Sequence, residues 1–303
     1  MGLTFVTDPV SVRTPATSAN LGPGFDALGL ALTLYDDLTA RVTGDGVKVT
    51  VSGEGAGELP GDETHLVVRA MLATFDELGG RPRGLAVECD NRIPQARGLG
   101  SSSAAIVGGV QLARGLVVGG LELIDDEAAL RIAARLEGHP DNVAPCLLGG
   151  FTIAWTEGAG ARAVRLPVHH DVHPKVFVPT ERGYTASARA ALPPDVPHAD
   201  ASFNAGRAAL LTHALTTDPS VLLPATADRL HQGYRAEAMP GTASLVAALR
   251  SVGVAAVVSG AGPTVLALSE VPGDFHAGEQ WRAEPLGVDA HGALVKGSMV
   301  ELA

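Results

Sequence analysis

The stretch Ile93-Pro94-Gln95-Ala96-Arg97-Gly98-Leu99-Gly100-Ser101-Ser102-Ser103-Ala104-Ala105 joins two spaced glycines to three successive hydroxyls at the head of an apolar-periodic run. Gly98 and Gly100 permit positive φ and close backbone approach. The run that follows has Ile106, Val110, Ala113 and Val117 spaced four, three and four residues apart, which predicts a helix with Ser101 or Ser102 as its N-cap. A helix entered this way turns free N–H groups and the positive end of its dipole toward an anion, so the loop reads as a cradle for nucleotide phosphates. No Lys follows the glycines, so this is not a Walker A loop with its G-K-[ST] ending, and a hydroxyl rather than an ammonium must meet the phosphates and Mg2+. Taken alone, the same string also fits an ordinary Gly/Ser turn capping a core helix.

Two distant segments bear on that choice. Pro15 to Gly29 reads P-A-T-S-A-N-L-G-P-G-F-D-A-L-G, and Val257 to Val265 reads V-V-S-G-A-G-P-T-V. With the serine-rich loop, and in this order, they resemble the three motifs of the GHMP small-molecule kinase superfamily. Asn20 and Asp26 in the first motif, E-G-H-P-D-N-V-A-P (Glu137 to Pro145), T-A-S-A-R-A-A-L-P (Thr185 to Pro193) and H-Q-G-Y-R (His231 to Arg235) are similar to the homoserine kinase family within it. The resemblance covers the chain from about Arg13 to its C-terminal strand. It implies an α+β, two-domain GHMP-kinase fold: a ribosomal protein S5 domain 2-like N-terminal domain over 1–158 and a ferredoxin-like C-terminal domain over 159–303. It also implies ATP-dependent phosphorylation of the L-homoserine hydroxyl to O-phospho-L-homoserine, a step of threonine biosynthesis, with ATP and Mg2+ as cofactors and a homodimer as candidate assembly.

Bulk properties agree with a globular enzyme. The chain has 303 residues, 46% hydrophobic and 18% charged, enough to bury a large core in one or two domains. A net charge of −11 argues against nucleic-acid or anionic-membrane partners, which require basic patches. Only Cys89 and Cys146 are present, and a chain of this size needs no disulfide staples, so a reducing cytoplasm is expected. The N-terminus has no signal-peptide pattern, and no uncharged apolar stretch reaches the length of a membrane span.

Along the chain, Val47–Val51 and Leu85–Cys89 alternate as strands, while Leu66–Leu78 and Asp126–Leu136 have helical spacing. Gly149-Gly150 breaks before a strand at Phe151–Trp155. The domain boundary is expected around Thr156–Arg165, ahead of a strand at Lys175–Pro179. A Pro/Asp/His-rich loop from Pro193 to Asp200 precedes a helix beginning near Ser202.

The expected site residues follow from the motifs. Ser102 is the candidate hydroxyl for Mg2+ and the γ-phosphate, although Ser101 and Ser103 fit equally as plain caps. Pro94, Arg97, Gly98, Leu99, Gly100, Ser101, Ser103, Gly260 and Gly262 complete the nucleotide-binding set. Asp141 reads as a carboxylate in a non-helical turn set by Pro140 before an apolar strand; in the resemblance it faces the acceptor hydroxyl, orienting it first and taking its proton second. In much of the superfamily a Glu ligates Mg2+ about ten residues before that Asp. Here the count lands on Arg131, which leaves Glu137 as the candidate metal carboxylate or else a solvated helix-end acid. His139, between Glu137 and Asp141, steadies one of them or is an ordinary turn histidine. His65 stands where the family more often has Asn beside the adenine. Arg189 and Arg235 match the positions that grip the substrate carboxylate, Asn20 and Asp26 those around its amine and hydroxyl, and Asn142 is a further substrate-binding candidate. Gly22 to Ala27 fits G-x-G-x-x-A, but Pro23 and the polar lead-in deny it the strand-turn-helix setting of a dinucleotide fingerprint. The alternatives are a mevalonate-type GHMP kinase and a catalytically silent GHMP-fold ligand-binding protein.

Overall fold

A computed structural model describes residues 3–183 and 185–296. The N-terminal half runs β1 (Val10–Ala19), β2 (Leu28–Thr43), β3 (Gly46–Gly53), α1 (Leu66–Leu78), β4 (Gly84–Asn91), α2 (Ser101–Leu116), α3 (Gly120–Leu123), α4 (Asp126–Glu137), α5 (Pro140–Leu148), β5 (Phe151–Glu157) and β6 (Gly160–Leu166). The rest runs β7 (Lys175–Pro179), α6 (Thr185–Ala190), α7 (His198–Thr216), α8 (Leu222–Ala225), α9 (Gln232–Arg235), α10 (Pro240–Ser251), β8 (Ala256–Val258), β9 (Val265–Ala267), β10 (Trp281–Pro285) and β11 (Leu294–Lys296). The fold is α+β, as expected.

The long strand β2 organises the first sheet. It pairs β1 along its length, β5 near its start and β4 near its end, giving the order β11-β1-β2-β4-β3 with the β5–β6 hairpin branching off β2. The β1–β2 register slips between Pro15 and Ala16, where proline has no N–H to give the ladder. β3 and β4 are parallel, and α1 supplies the crossover such a pair needs. The second sheet, β10-β7-β9-β8, packs against α10 through Phe177, Leu245, Leu249 and Val265. The expected junction at 158/159 coincides with the tip of the β5–β6 hairpin, and β6 remains in the first sheet.

Three local expectations are corrected. No serine caps α2: Gly100 is the N-cap, at φ 73°, with no side-chain cap bond, and the hydroxyls of Ser102 and Ser103 go to a carboxylate instead. The segment after Pro140 is a helix rather than a turn and strand. Proline at the first helical position loses only an N–H that has no intrahelical partner, and its fixed φ suits the helix. Pro145 inside the same helix cannot bond the carbonyl of Asp141, and that carbonyl lies against Gly29, where any Cβ would collide with it. Finally, α7 begins at His198 rather than near Ser202, after Pro197.

Candidate active site

The loop from Ile93 to Gly100 is held by the two distant motifs. Thr17 N–H donates to Leu99 O (3.0 Å), Gly260 N–H to Ala19 O (3.1 Å) and Thr264 N–H to Arg97 O (3.2 Å). Ser259 Oγ donates to Gly98 O at 2.6 Å and lies 2.8 Å from Ser18 Oγ. Gly98 and Gly100 have φ of 75° and 73°, and a Cβ on either would strike Ser259 O or Thr17 Oγ1. The first intrahelical bond of α2 is Ala104 N–H to Gly100 O, so the N–H groups of Ser101, Ser102 and Ser103 have no partner within the helix and open on an anion-binding end. Arg97 spends its guanidinium on the carbonyls of Gln95, Pro179 and Thr180, fixing the loop to the end of β7.

Beside this helix end, Ser102 Oγ (2.6 Å) and Ser103 Oγ (2.9 Å) both donate to Glu137 Oε1 at the last turn of α4. Two residues past Gly138, α5 starts and carries Asp141 in its first turn, 2% exposed. Its Oδ1 lies 2.7 Å from His139 Nδ1, and that contact raises the histidine pKa above the ordinary value against the opposing effect of burial. Asn142 Oδ1 accepts from Thr17 Oγ1 at 2.9 Å. Arg131 lies away from this group, paired with Glu127 and packed against Gly160.

A cleft of about 460 Å³ runs over these groups. At one end Asn20, at φ 68°, donates from Nδ2 to Gly260 O and accepts from Asp26 N–H, both at 2.9 Å. Its Oδ1 thus shapes the Asn20–Asp26 loop, and its Nδ2 ties that loop to the Gly260 turn. Asp26 forms a bidentate pair with Arg189, both contacts 2.9 Å. Arg235, 2% exposed, lies across the ring of Phe25 from the same side of the cleft. Burial lowers its pKa first, and Arg189 adds to that. At the other end His65 caps α1, its Nδ1 accepting from Val67 N–H (3.3 Å), and its buried Nε2 has no partner among the described residues. Burial lowers its pKa, so it is neutral. Asp36 lines the same end and accepts two backbone N–H bonds, from Arg92 and Ile93. Burial nonetheless pushes its carboxyl up to about 6.

Of the residues expected from the sequence, the cleft brings together Asn20, Asp26, His65, Pro94, Arg97, Gly98, Leu99, Gly100, Ser101, Ser102, Glu137, Asp141, Asn142, Arg189, Arg235 and Gly260. Ser103 and Gly262 do not line it. Ser103 is fully buried beneath the loop, and Gly262 closes a turn on Ser259, with Met239 against it. Sequence reasoning missed Asp36 and Thr17. Asp36 sits mid-strand in a Tyr-Asp-Asp run, where nothing but burial distinguishes it from the half-buried Asp37 beside it.

A family model described as GHMP kinases N terminal domain matches residues 65–150, and one described as GHMP kinases C terminal matches 209–279. The chain is 56% identical over 298 residues to a homoserine kinase of Streptomyces avermitilis, covering 97% of this chain and 98% of that one. It is 54% identical to a homoserine kinase of Clavibacter michiganensis, covering 95% and 94%. Its fold is similar to the crystal structure of a homoserine kinase from Cytophaga hutchinsonii, with a TM-score of 0.81 at 27% identity over 97% of this chain and 99% of that one.

Proposed function

Since the chain belongs to the homoserine kinase family of the GHMP kinases, we infer that the cleft holds ATP along the serine loop and L-homoserine beyond it, with the reaction taking place between Ser102 and Asp141. The enzyme transfers the γ-phosphoryl group of ATP to the homoserine hydroxyl. The observation that carries the site assignment is the meeting of two helix N-termini in one cleft, α2 bearing the hydroxyls and α5 bearing the carboxylate.

The N–H groups at the start of α2 face the phosphates, and the apolar end near Leu38 and Leu66 receives the base. Neutral His65 accepts on Nδ1, so Nε2 carries the proton and offers a donor to a purine nitrogen. Homoserine is a zwitterion, and Asp26 with Arg189 and Arg235 provides one charge for its ammonium and two for its carboxylate. Mevalonate has no ammonium to meet Asp26.

Asp141 accepts a hydrogen bond from the substrate hydroxyl and aims its oxygen at the γ-phosphorus. A P–O bond forms there while the bond to the β-phosphate oxygen breaks, releasing ADP, and the hydroxyl proton passes to Asp141. A loose phosphoryl-transfer transition state asks mainly for alignment and charge neutralisation, which these fixed groups provide. Ser102 and Glu137 would hold Mg2+: a carboxylate oxygen beside a hydroxyl at the cleft is the hard-oxygen donor set this cation takes, while Ser103 steadies the carboxylate from beneath. When bound, it neutralises phosphate charge.

The test is a panel of homoserine, serine, threonine and mevalonate with ATP, following ADP release and the phosphorus NMR signal of the product. Homoserine-dependent formation of O-phosphohomoserine, absent with mevalonate, is the expected result. Mevalonate turnover at a similar kcat/KM would overturn the substrate assignment.

A further inference from the structure

His231 is fully buried and does not line the cleft. It nevertheless touches both sides of the substrate end. Its Nε2 lies 2.8 Å from the carbonyl oxygen of Gly22, in the Asn20–Asp26 loop. Its Nδ1 lies 3.1 Å from Nη1 of Arg235, one turn along α9. A carbonyl only accepts and a guanidinium only donates, so one form of the ring satisfies both contacts: neutral, with the proton on Nε2 and the lone pair on Nδ1. Burial holds the pKa below the ordinary histidine value, opposed by Asp228 and aided by the Arg235 charge, in keeping with a neutral ring. Asp228 does not take over the ring. Its oxygens accept the N–H groups of Leu230, His231 and Gln232, while its nearest approach to Nε2 is 3.7 Å. Phe25 stacks on the imidazole with centroids 5.1 Å apart, and the Arg235 guanidinium lies 5.5 Å from the centre of the same ring.

Arg235 is therefore specified donor by donor. Nε donates to Ala188 O (3.0 Å), and Nη1 donates to Gly260 O (3.3 Å) and to His231. Nη2 has no partner among the described residues, on a side chain 2% exposed that lines the cleft. As a donor on a cleft-lining side chain, Nη2 is free to meet a ligand acceptor.

We propose that His231 is a positioning residue that fixes the spacing between the Arg235 fork and the loop bearing Asp26, so that the pair reads a carboxylate and an ammonium on one carbon. This rests on the reading that Arg235 meets the substrate carboxylate. The imidazole acts as a spacer with an acceptor on one edge and a donor on the other. Loss of the acceptor edge frees the guanidinium to turn toward other carbonyls, whereas loss of the donor edge frees the Gly22 loop.

Two amide replacements separate the edges. In His231→Asn the amide oxygen can stand near the Nδ1 position, and in His231→Gln the amide nitrogen can stand near Nε2. Steady-state kinetics are measured for both, and for Arg235→Leu, with homoserine and its methyl ester. For His231→Gln the KM for homoserine is expected to rise about tenfold, the worth of one charge-assisted hydrogen bond, with kcat and the KM for ATP little changed and the preference for free acid over ester reduced. His231→Asn is expected to recover most of that preference. If Arg235→Leu loses the preference while His231→Gln keeps it, the spacer role falls and the carboxylate reading stands. If both keep it, the carboxylate reading falls and takes this proposal with it. An equal loss of kcat on every substrate in His231→Gln would mark a merely structural histidine and overturn the proposal. Nitrogen NMR of the wild-type imidazole needs no variant: the Nε2–H tautomer at pH 7 is expected, and an Nδ1–H or doubly protonated ring overturns the spacer.

Discussion

Glu137 Oε1 accepts from both Ser102 and Ser103, yet only Ser102 also reaches the cleft. Ser102→Ala is therefore expected to lower turnover by about 10²-fold with little change in the KM for homoserine, since the contact removed is one that tightens in the transition state. Wild-type turnover in that variant would refute the assignment. Glu137→Gln is expected to raise the Mg2+ concentration for half-activity, while Arg131→Ala leaves it unchanged because Arg131 faces Glu127 instead. Titration of activity with Mg2+ checks both. Asp36 supports a stability prediction whose sign follows from its carboxyl, pushed from an ordinary 3.8 up to about 6. Between these values the folded protein holds a proton that the unfolded chain has lost, so this group makes stability fall as pH rises from about 4 to 6, by about 3 kcal/mol in all. Asp36→Asn should flatten that part of the profile of unfolding free energy against pH. An unchanged slope there would exclude Asp36 as its source.

Helix starts, rather than helix interiors, build the site. The 3.6-residue period placed α1 at its observed bounds and α4 to within one residue, because each has an amphipathic face and a helix-ending glycine. The same reading misplaced Asp141, since proline ahead of polar residues is compatible with a turn and with a helix start, and only packing against Gly29 and β5 selects the helix. At the entry to α2, Gly98→Ala puts a Cβ into the Ser259 carbonyl at positive φ, at a cost of about 1–3 kcal/mol from backbone strain alone. Thermal unfolding should show that loss together with a raised KM for ATP. Gly44→Ala, with open space around it, should show neither.

Across the whole molecule, segments some 240 residues apart share single hydrogen bonds: Ser18 and Ser259, Asn20 and Gly260. Ser259→Ala leaves the Gly98 carbonyl without its side-chain donor, so stability should drop by about 1–3 kcal/mol and the KM for ATP should rise with it. Calorimetry and ATP kinetics on one preparation test whether the two effects travel together; a lower melting temperature with an unaltered KM would mean that the loop holds its shape without this bond. The returning strand β11 beside β1 brings the far end of the described chain to the first sheet. The order of the motifs, the serine-rich loop, the strands and helices with clear periodicity and most cleft residues were legible in the sequence, because spacing, glycine and hydroxyl placement are local properties. Tertiary structure alone decided that Asp36 is buried and Asp37 is not, that Asn20 ties its own loop to the backbone of Gly260, that Ser103 faces inward, and that His231 stands between Arg235 and Gly22. Each of these depends on which distant carbonyl, amide or ring fills the space beside a side chain, and no local pattern of residues carries that information.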